Sequence, residues 1–484
     1  MTKLITKSKY LLGLQCPRLL WIAVNKKELM PEVDEAQQKI FDAGTSIGIL
    51  ATSLFEGIKV PEDGFIDNLL KTKELLKQNK TLFEAGFAYK DLFSRADVLE
   101  FSENGWNIIE VKSSTEVKEV NLHDVSFQKY VYEKCGLKIN KCYLMHINNE
   151  YVRQGDLESD KLFHQEEITE QVNEFIVGIE ERLQKMRDVL LADEPESIIG
   201  EYCDAPYQCA LYDDCWGFLP NNSVFSLSRG GKKSWELFRS DIHKIIDIPD
   251  DYKLTDKQQV QKDCELTGLP FVNKEAIKQF LGTLNYPIYY FDFETINPAI
   301  PLYDNIRPYQ RMAFQYSLHV QYEEGGECKH ISFLADEKKD PRLEILKAMQ
   351  RDLGDSGTIL AWNQSFEKGV IKELISQFPS YREWGLKILE RFNDLMIPFA
   401  NFSYYNPIQE GSASIKKVLP ALTDLSYSGM EISNGGDASN SYEMIATSEF
   451  SSEEVERIRN ALEKYCELDT WAEVKILEEL RKLV

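Results

Sequence analysis

A chain of 484 residues, 43% hydrophobic and 28% charged, can bury a sizeable core and is long enough for two or three domains. No apolar run approaches the roughly 18–20 residues that a bilayer crossing needs, and the opening Met1-Thr-Lys-Leu-Ile-Thr-Lys lacks a secretory core, so a soluble cytoplasmic protein is expected. A formal net charge of −23 excludes a chain that coats nucleic acid through Lys and Arg, but not one that meets phosphates through carboxylate-bound divalent ions.

Residues 8–22 open on Ser8 as a candidate N-cap and carry Cys16 immediately before Pro17. Periodicity predicts helices over 34–55 and 67–78, then a strand meander from Thr81 to Val111 with a hairpin turn at Glu103-Asn104-Gly105. A helix over 121–135 carries Gln128 and Tyr130, a strand follows at 141–147, and one long helix is expected over 168–191. Cys203, Cys209 and Cys215 then recur at six-residue steps. Residues 221–284 read as a mainly helical connector, and from Tyr286-Pro287 a second core of alternating strands and helices runs to the end. The expected organisation is therefore 1–220, 221–284 and 285–484. The nine cysteines, odd in number, fit reduced thiols or metal ligands better than a disulfide framework.

Alternate residues of a strand share a face, so Glu110 and Lys112 point together while Ile109 and Val111 face the other way. With Asp97 from the same meander, two carboxylates can hold a divalent cation and an ammonium can offset charge on a phosphate. The competing reading is a surface ion pair. The set Asp97, Glu110-x-Lys112 and Gln128-x-Tyr130, framed by Cys16, Cys203, Cys209 and Cys215, resembles a RecB-like PD-(D/E)XK nuclease, and more narrowly the iron–sulfur members linked with CRISPR adaptation. The resemblance spans roughly residues 5–218 and implies a restriction-endonuclease-like fold. It makes Asp97 and Glu110 ligands of Mg²⁺ or Mn²⁺, Lys112 the catalytic lysine, and Gln128 and Tyr130 helical supports near DNA. It departs from the pattern where Gly48 stands in place of a histidine four residues after Gly44. Four thiolates suit a 4Fe-4S cluster or a Cys₄ zinc site; the resemblance favours iron–sulfur, with Zn²⁺ and unligated buried cysteines as the alternatives.

Asp292 and Glu294 lie on one face of an otherwise apolar strand, where two buried charges need compensation, and a metal is the expected one. Asn363-Gln-Ser-Phe366-Glu367 places an acid at a helix start, and Tyr465 and Asp469 stand one helical turn apart. Asp394 reads either as a further acid or as a turn residue, and Lys416 either as a phosphate contact or as part of a solvated loop. This order of motifs resembles the DEDD 3′-to-5′ exonucleases of the ribonuclease-H-like superfamily, in the variant with tyrosine in its third motif, over about residues 286–484. The resemblance implies a mixed sheet flanked by helices, with Asp292, Glu294 and Asp469 on two Mg²⁺ ions and Tyr465 orienting the attacking water. Glu367 departs from the usual aspartate. The fold class is thus α/β throughout, and the combination resembles a bacterial two-nuclease family. The expected function is a metal-dependent nuclease acting on DNA, single-stranded or with free ends; RNA as substrate and a catalytically decayed binding scaffold are the alternatives.

Overall fold

The computed structural model describes residues 3–61 and 64–484, with the backbone alone at Glu35 and Ala36. The chain is mixed α/β and divides into two compact units, Met1–Phe218 with Ala299–Tyr309, and Leu219–Pro298 with Gln310–Val484. Residues 221–284, expected as a separate connector, cluster with the second unit. Within it Phe271–Val272 pairs with Tyr404–Tyr405 and fastens that stretch to its own unit. Among the described residues no helix is long and apolar enough to cross a membrane.

The first unit is built on a mixed sheet of β1 (Ile5–Thr6), β2 (Gly57–Lys59), β3 (Thr81–Tyr89), β4 (Leu92–Ser102), β5 (Gly105–Lys112), β6 (Ile139–Ile147) and β7 (Phe163–Glu167). β3, β4 and β5 form the expected antiparallel meander, and β5 pairs parallel with β6. The hairpin turn needs Gly105, whose φ is +137° and where an added Cβ would lie 2.5 Å from the Lys138 carbonyl. One sheet face, carrying Ala96, Ile108 and Leu144, packs against Tyr10, Val125, Phe127 and Val131 of α1 (Lys7–Gln15) and of the crossover helix between β5 and β6 (Glu119–Lys134). The opposite face, with Val98, Ile109 and Val111, is covered by Ile47 and Ala51 of the helix Glu35–Thr52.

Two local expectations change. The N-cap of α1 is Thr6, which accepts from the Lys9 amide at 3.3 Å, rather than Ser8. α1 then stops at Cys16, and Pro17 starts α2 (Pro17–Asn25) as its first helical residue. The long helix expected over 168–191 is two, Thr169–Ile176 and Ile179–Leu191, because Gly178 adopts φ +76° between them. The crossover helix is α3 (Glu119–Lys134), and the second helix of the pair is α4 (Ile179–Leu191).

The second unit holds a five-stranded sheet of β8 (Ile288–Ile296), β9 (Met312–Gln321), β10 (Cys328–Leu334), β11 (Thr358–Ala361) and β12 (Phe392–Asp394), in the order β10-β9-β8-β11-β12. The first three are antiparallel neighbours, and β8, β11 and β12 run parallel. Phe291, Phe293, Tyr316 and Leu318 face a dry layer that includes Val370 and Ile371 of α5 (Ser365–Gln377). The other face is polar and sits under the 31-residue helix α8 (Ser452–Lys482), reached after α6 (Ile415–Leu422) and α7 (Gly435–Thr447). There the Gln315 amide donates to the Leu462 carbonyl at 3.0 Å and Ser317 meets Thr470 at 2.7 Å, so these buried groups find partners on α8, while Gln315 Oε1 has none.

Candidate active site

Asp292 and Glu294 stand on that polar face of β8, opposite Ser317 and Gln315 in register. Glu294, Glu367 and Asp469 are 6%, 1% and 8% exposed. α5 delivers Glu367 in its first turn, and α8 delivers Tyr465, Cys466 and Asp469 from successive positions of its buried face. Ligand atoms of Asp292, Glu294 and Cys466 lie within 4.8 Å of one another. Burial, followed by the charges of Asp469, Glu294 and Glu367, pushes the Asp292 carboxyl well above the ordinary range; burial and Asp469 do the same for Glu294. Burial carries Glu367 to about 8 against a backbone hydrogen bond, with Asp394 adding to the rise. Asp469 rises to about 6 through burial, held down by the Tyr427 hydroxyl that donates to it at 2.6 Å.

Lys416 is inside this site rather than in a solvated loop. Its ammonium donates to the Ser433 carbonyl at 2.6 Å and sits 5.5 Å and 5.8 Å from the Tyr427 and Tyr465 ring centres, and its charge reaches Glu294 and Asp469. Asn363 has φ +68°, a conformation asparagine tolerates, and its side-chain oxygen is taken by the Ser365 hydroxyl at 2.7 Å. Asp394 accepts from the amides of Asn363, Gln364 and Met396 at 3.0–3.2 Å, so it organises the turn while its charge still reaches Glu367.

In the first unit Glu110 is 1% exposed on the central strand β5. Lys112 donates to Glu110 at 2.6 Å and to Asp124 at 2.8 Å, and the Gln128 amide spans the same two carboxylates at 2.6 Å and 3.1 Å. Asp97 accepts from the Val111 amide at 2.9 Å, where the β4–β5 ladder ends. Lys7 enters from the start of α1, 2.7 Å from Glu110, 3.8 Å from Asp97 and 4.0 Å from Asp124. Burial opposes its charge, yet the three carboxylates hold the Lys7 ammonium well above the ordinary lysine range, and Glu110 and Asp124 do so for Lys112. Tyr130 does not join this site. Two positions past Gln128 it points round the other side of α3, where its hydroxyl donates to Glu180 at 2.8 Å. At Gly48 an added Cβ would meet open space.

Cys16, Cys203, Cys209 and Cys215 converge: the charges of the other three all act on the Cys209 thiol, whose pKa burial raises first. Gln15 donates to the carbonyls of Tyr202 and Tyr207 at 3.0 Å and 2.7 Å, and Arg18 reaches the Cys215 sulfur at 3.1 Å, so both ends of the quartet are laced together. Among the described residues, the sets of three donors within 4.8 Å of one another do not include these sulfurs. Tetrahedral zinc would draw them to about 3.8 Å apart.

Four residues of these sites carry no motif in the sequence reading: Lys7, Asp124, Tyr427 and Glu473. Asp124 stands one helical turn before Gln128, and Glu473 one turn after Asp469 among the apolar residues of α8, so helical spacing could have found both. Lys7 and the loop residue Tyr427 have no such signal. Residues 289–414 match a family described as Domain of unknown function (DUF2779), a stretch that holds Asp292, Glu294, Glu367 and Asp394 and ends before Lys416. The chain is 27% identical over 219 residues to "Uncharacterized protein MG366" of Mycoplasma genitalium, covering 40% of this chain and 32% of that protein. It is 28% identical over 211 residues to the MG366 homolog of Mycoplasma pneumoniae, covering 39% and 31%. The matched stretch thus spans about a third of the length of these relatives.

Proposed function

We propose that this protein is a metal-dependent nuclease hydrolysing DNA phosphodiester bonds, with 3′-to-5′ exonuclease chemistry at the second-unit site. The observation that carries this reading is the burial of Asp292, Glu294, Glu367, Asp469 and Glu473 together, against the charges of Lys416 on Glu294 and Asp469 and of Arg311 on Glu367. Such an excess of buried carboxylate is costly unless cations or protons offset it. The fit to cations is supported by Glu367 Oε2 and Glu473 Oε2, buried oxygens without a hydrogen-bond partner. Asp292, Glu294 and Asp469 would hold Mg²⁺ or Mn²⁺, with Glu367 beside them. When bound, paired divalent ions activate a water and stabilise the leaving oxygen of an in-line displacement. Tyr427 fixes the Asp469 carboxylate, Tyr465 stands where it can orient a water, and Lys416 supplies positive charge for a phosphate. The antiparallel triplet continued by two parallel strands, with α8 bearing the last acid, agrees with the ribonuclease-H-like resemblance.

The first unit supports a second, RecB-like reading through Asp97, Glu110, Lys112 and Gln128. Lys7 on the same carboxylates favours a resting or scaffold state of that site. The RecB-like resemblance favours a 4Fe-4S cluster over zinc as what the four cysteines would hold.

The test is Mn²⁺-dependent release of end label from single-stranded DNA, beside an equivalent RNA. Loss from the 3′ end by wild-type protein, abolished by Asp292→Ala, is expected. No release, or release unchanged in the Asp97→Ala, Asp292→Ala double variant, overturns the proposal; release from RNA alone reassigns the substrate.

A further inference from the structure

A second set of metal-ligand side chains lies outside both acid sites, in the first unit. β6 and β7 are antiparallel, with His146 opposite His164 and Leu144 opposite Glu166. The two imidazoles are therefore direct cross-strand neighbours, and Glu166 is the diagonal neighbour on the same face. Ligand atoms of all three lie within 4.8 Å of one another, and the imidazole centres are 5.2 Å apart.

The state of His146 separates this trio from an ordinary surface cluster. Its ring is 6% exposed, its Nδ1 lies 3.2 Å from the Ile147 carbonyl, and its Nε2 is buried without a hydrogen-bond partner. A ring that donates Nδ1–H to a carbonyl presents the Nε2 lone pair, which is the form a metal-binding imidazole takes. A buried acceptor of this kind is costly to leave without a partner. Nε2 stands 3.8 Å from Glu166 Oε2, too long for a hydrogen bond. Two metal bonds of about 2.0–2.2 Å at a tetrahedral angle would set those atoms about 3.4 Å apart, so a small movement of the half-exposed Glu166 closes the site. The comparable trio in the second unit differs. There His319 Nδ1 bonds Thr470 at 2.8 Å and His330 Nε2 bonds Ser317 at 3.0 Å, a polar network that fixes the sheet to α8.

We propose that His146, His164 and Glu166 bind one divalent transition-metal ion. Two imidazoles and one carboxylate suit Zn²⁺ and its neighbours rather than Mg²⁺ or Ca²⁺, which take all-oxygen sites. Three protein ligands leave an open coordination position, as in catalytic and anion-binding centres. His146 is also the register partner of Lys112, so the ion would sit on the same sheet face as Glu110 and Lys112, one strand away. The inference does not depend on nuclease activity.

The test is Zn²⁺ titration of the full-length protein by calorimetry, with bound metal counted after dialysis, for wild type, His164→Ala, Glu166→Gln and Asp292→Asn. His164 is exposed, so its replacement leaves the fold intact, and circular dichroism checks this. The expected result is loss of one tight Zn²⁺ equivalent in His164→Ala and a weakening beyond about 10–100-fold in Glu166→Gln, more than loss of a supporting hydrogen bond costs. Asp292→Asn keeps that equivalent. Zinc held by the four cysteines or the acid sites would survive His164→Ala, so unchanged stoichiometry and affinity in that variant overturn the proposal.

Discussion

Replacing Lys7 by methionine removes the ammonium from the Asp97–Glu110–Asp124 site while keeping its volume. Glu110 and Asp124 are nearly fully buried, 1% and 2% exposed, and Lys7 lies 2.7 Å from the first of them. Removing one partner of a buried charge pair costs about 3–5 kcal/mol. The Lys7 side chain is 25% exposed, which puts the expected loss at the lower end, about 3 kcal/mol. In a unit of this size that lowers the melting temperature by roughly 6–12 °C. A divalent ion taking the vacated place restores RT ln(1 + [L]/Kd), about 2.7 kcal/mol at a hundredfold excess over Kd, nearly the whole loss. The wild-type site gains less from the same ion, because the ion must first displace the ammonium. The assay is calorimetric melting of wild type and Lys7→Met, with and without Mn²⁺, in an Asp292→Asn background that removes most of the second-unit response. A Lys7→Met melt within about 2 °C of wild type in chelator, or an equal Mn²⁺ gain in both proteins, refutes the reasoning.

The metal-free second unit should lose stability as pH rises. Glu367 and Asp469 keep protons in the folded chain up to about 8 and about 6, above their ordinary values, so from about pH 5 to 8 the folded state binds more protons than the unfolded state and unfolding becomes easier. Denaturant midpoints in chelator should fall across that window, Mn²⁺ should flatten the profile and Glu367→Gln should reduce its slope; a flat or rising profile in chelator contradicts this. Protein purified anaerobically should show broad visible absorbance and acid-labile sulfide, both lost in Cys203→Ser. A colourless protein with one zinc bound by the cysteines would reassign that site.

What the sequence made legible follows from periodicity. A run such as Tyr289-Tyr-Phe-Asp292-Phe-Glu294 states in itself that two acids enter a core, because the strand period fixes their common face. The same logic found Glu110 with Lys112 and Tyr465 with Asp469. The resemblance, not the periodicity, paired Tyr130 with Gln128; residues two apart on a helix stand on nearly opposite sides, and it is Gln128 that faces Glu110 while Tyr130 meets Glu180. Periodicity could not find Lys7, which comes from the chain's start to a strand more than a hundred residues on, through a tertiary contact with no local signature. The break at Gly178 was within reach, because a glycine that ends one helix and a polar stretch that begins the next look continuous only when both share an apolar stripe.

The two acid sites solve one electrostatic problem in opposite ways. Each gathers at least three carboxylates on a buried sheet face beneath a helix, where unpaired negative charge cannot persist. In the first unit two lysines are supplied from the chain itself, leaving three carboxylates nearly neutralised by Lys7 and Lys112. In the second unit five acids gather where Lys416 reaches Glu294 and Asp469 and Arg311 reaches Glu367, and the raised carboxyl pKa values of Glu367 and Asp469 point to protons making up part of the difference. Protons held near neutral pH exchange readily for a divalent ion, whereas a tethered ammonium must be moved bodily. Cation affinity should therefore be steeply pH-dependent at the second site and governed by the position of α1 at the first. Mn²⁺ binding at the second site releases protons to the buffer, so its apparent enthalpy must vary with buffer ionisation enthalpy, while at the first site it should not.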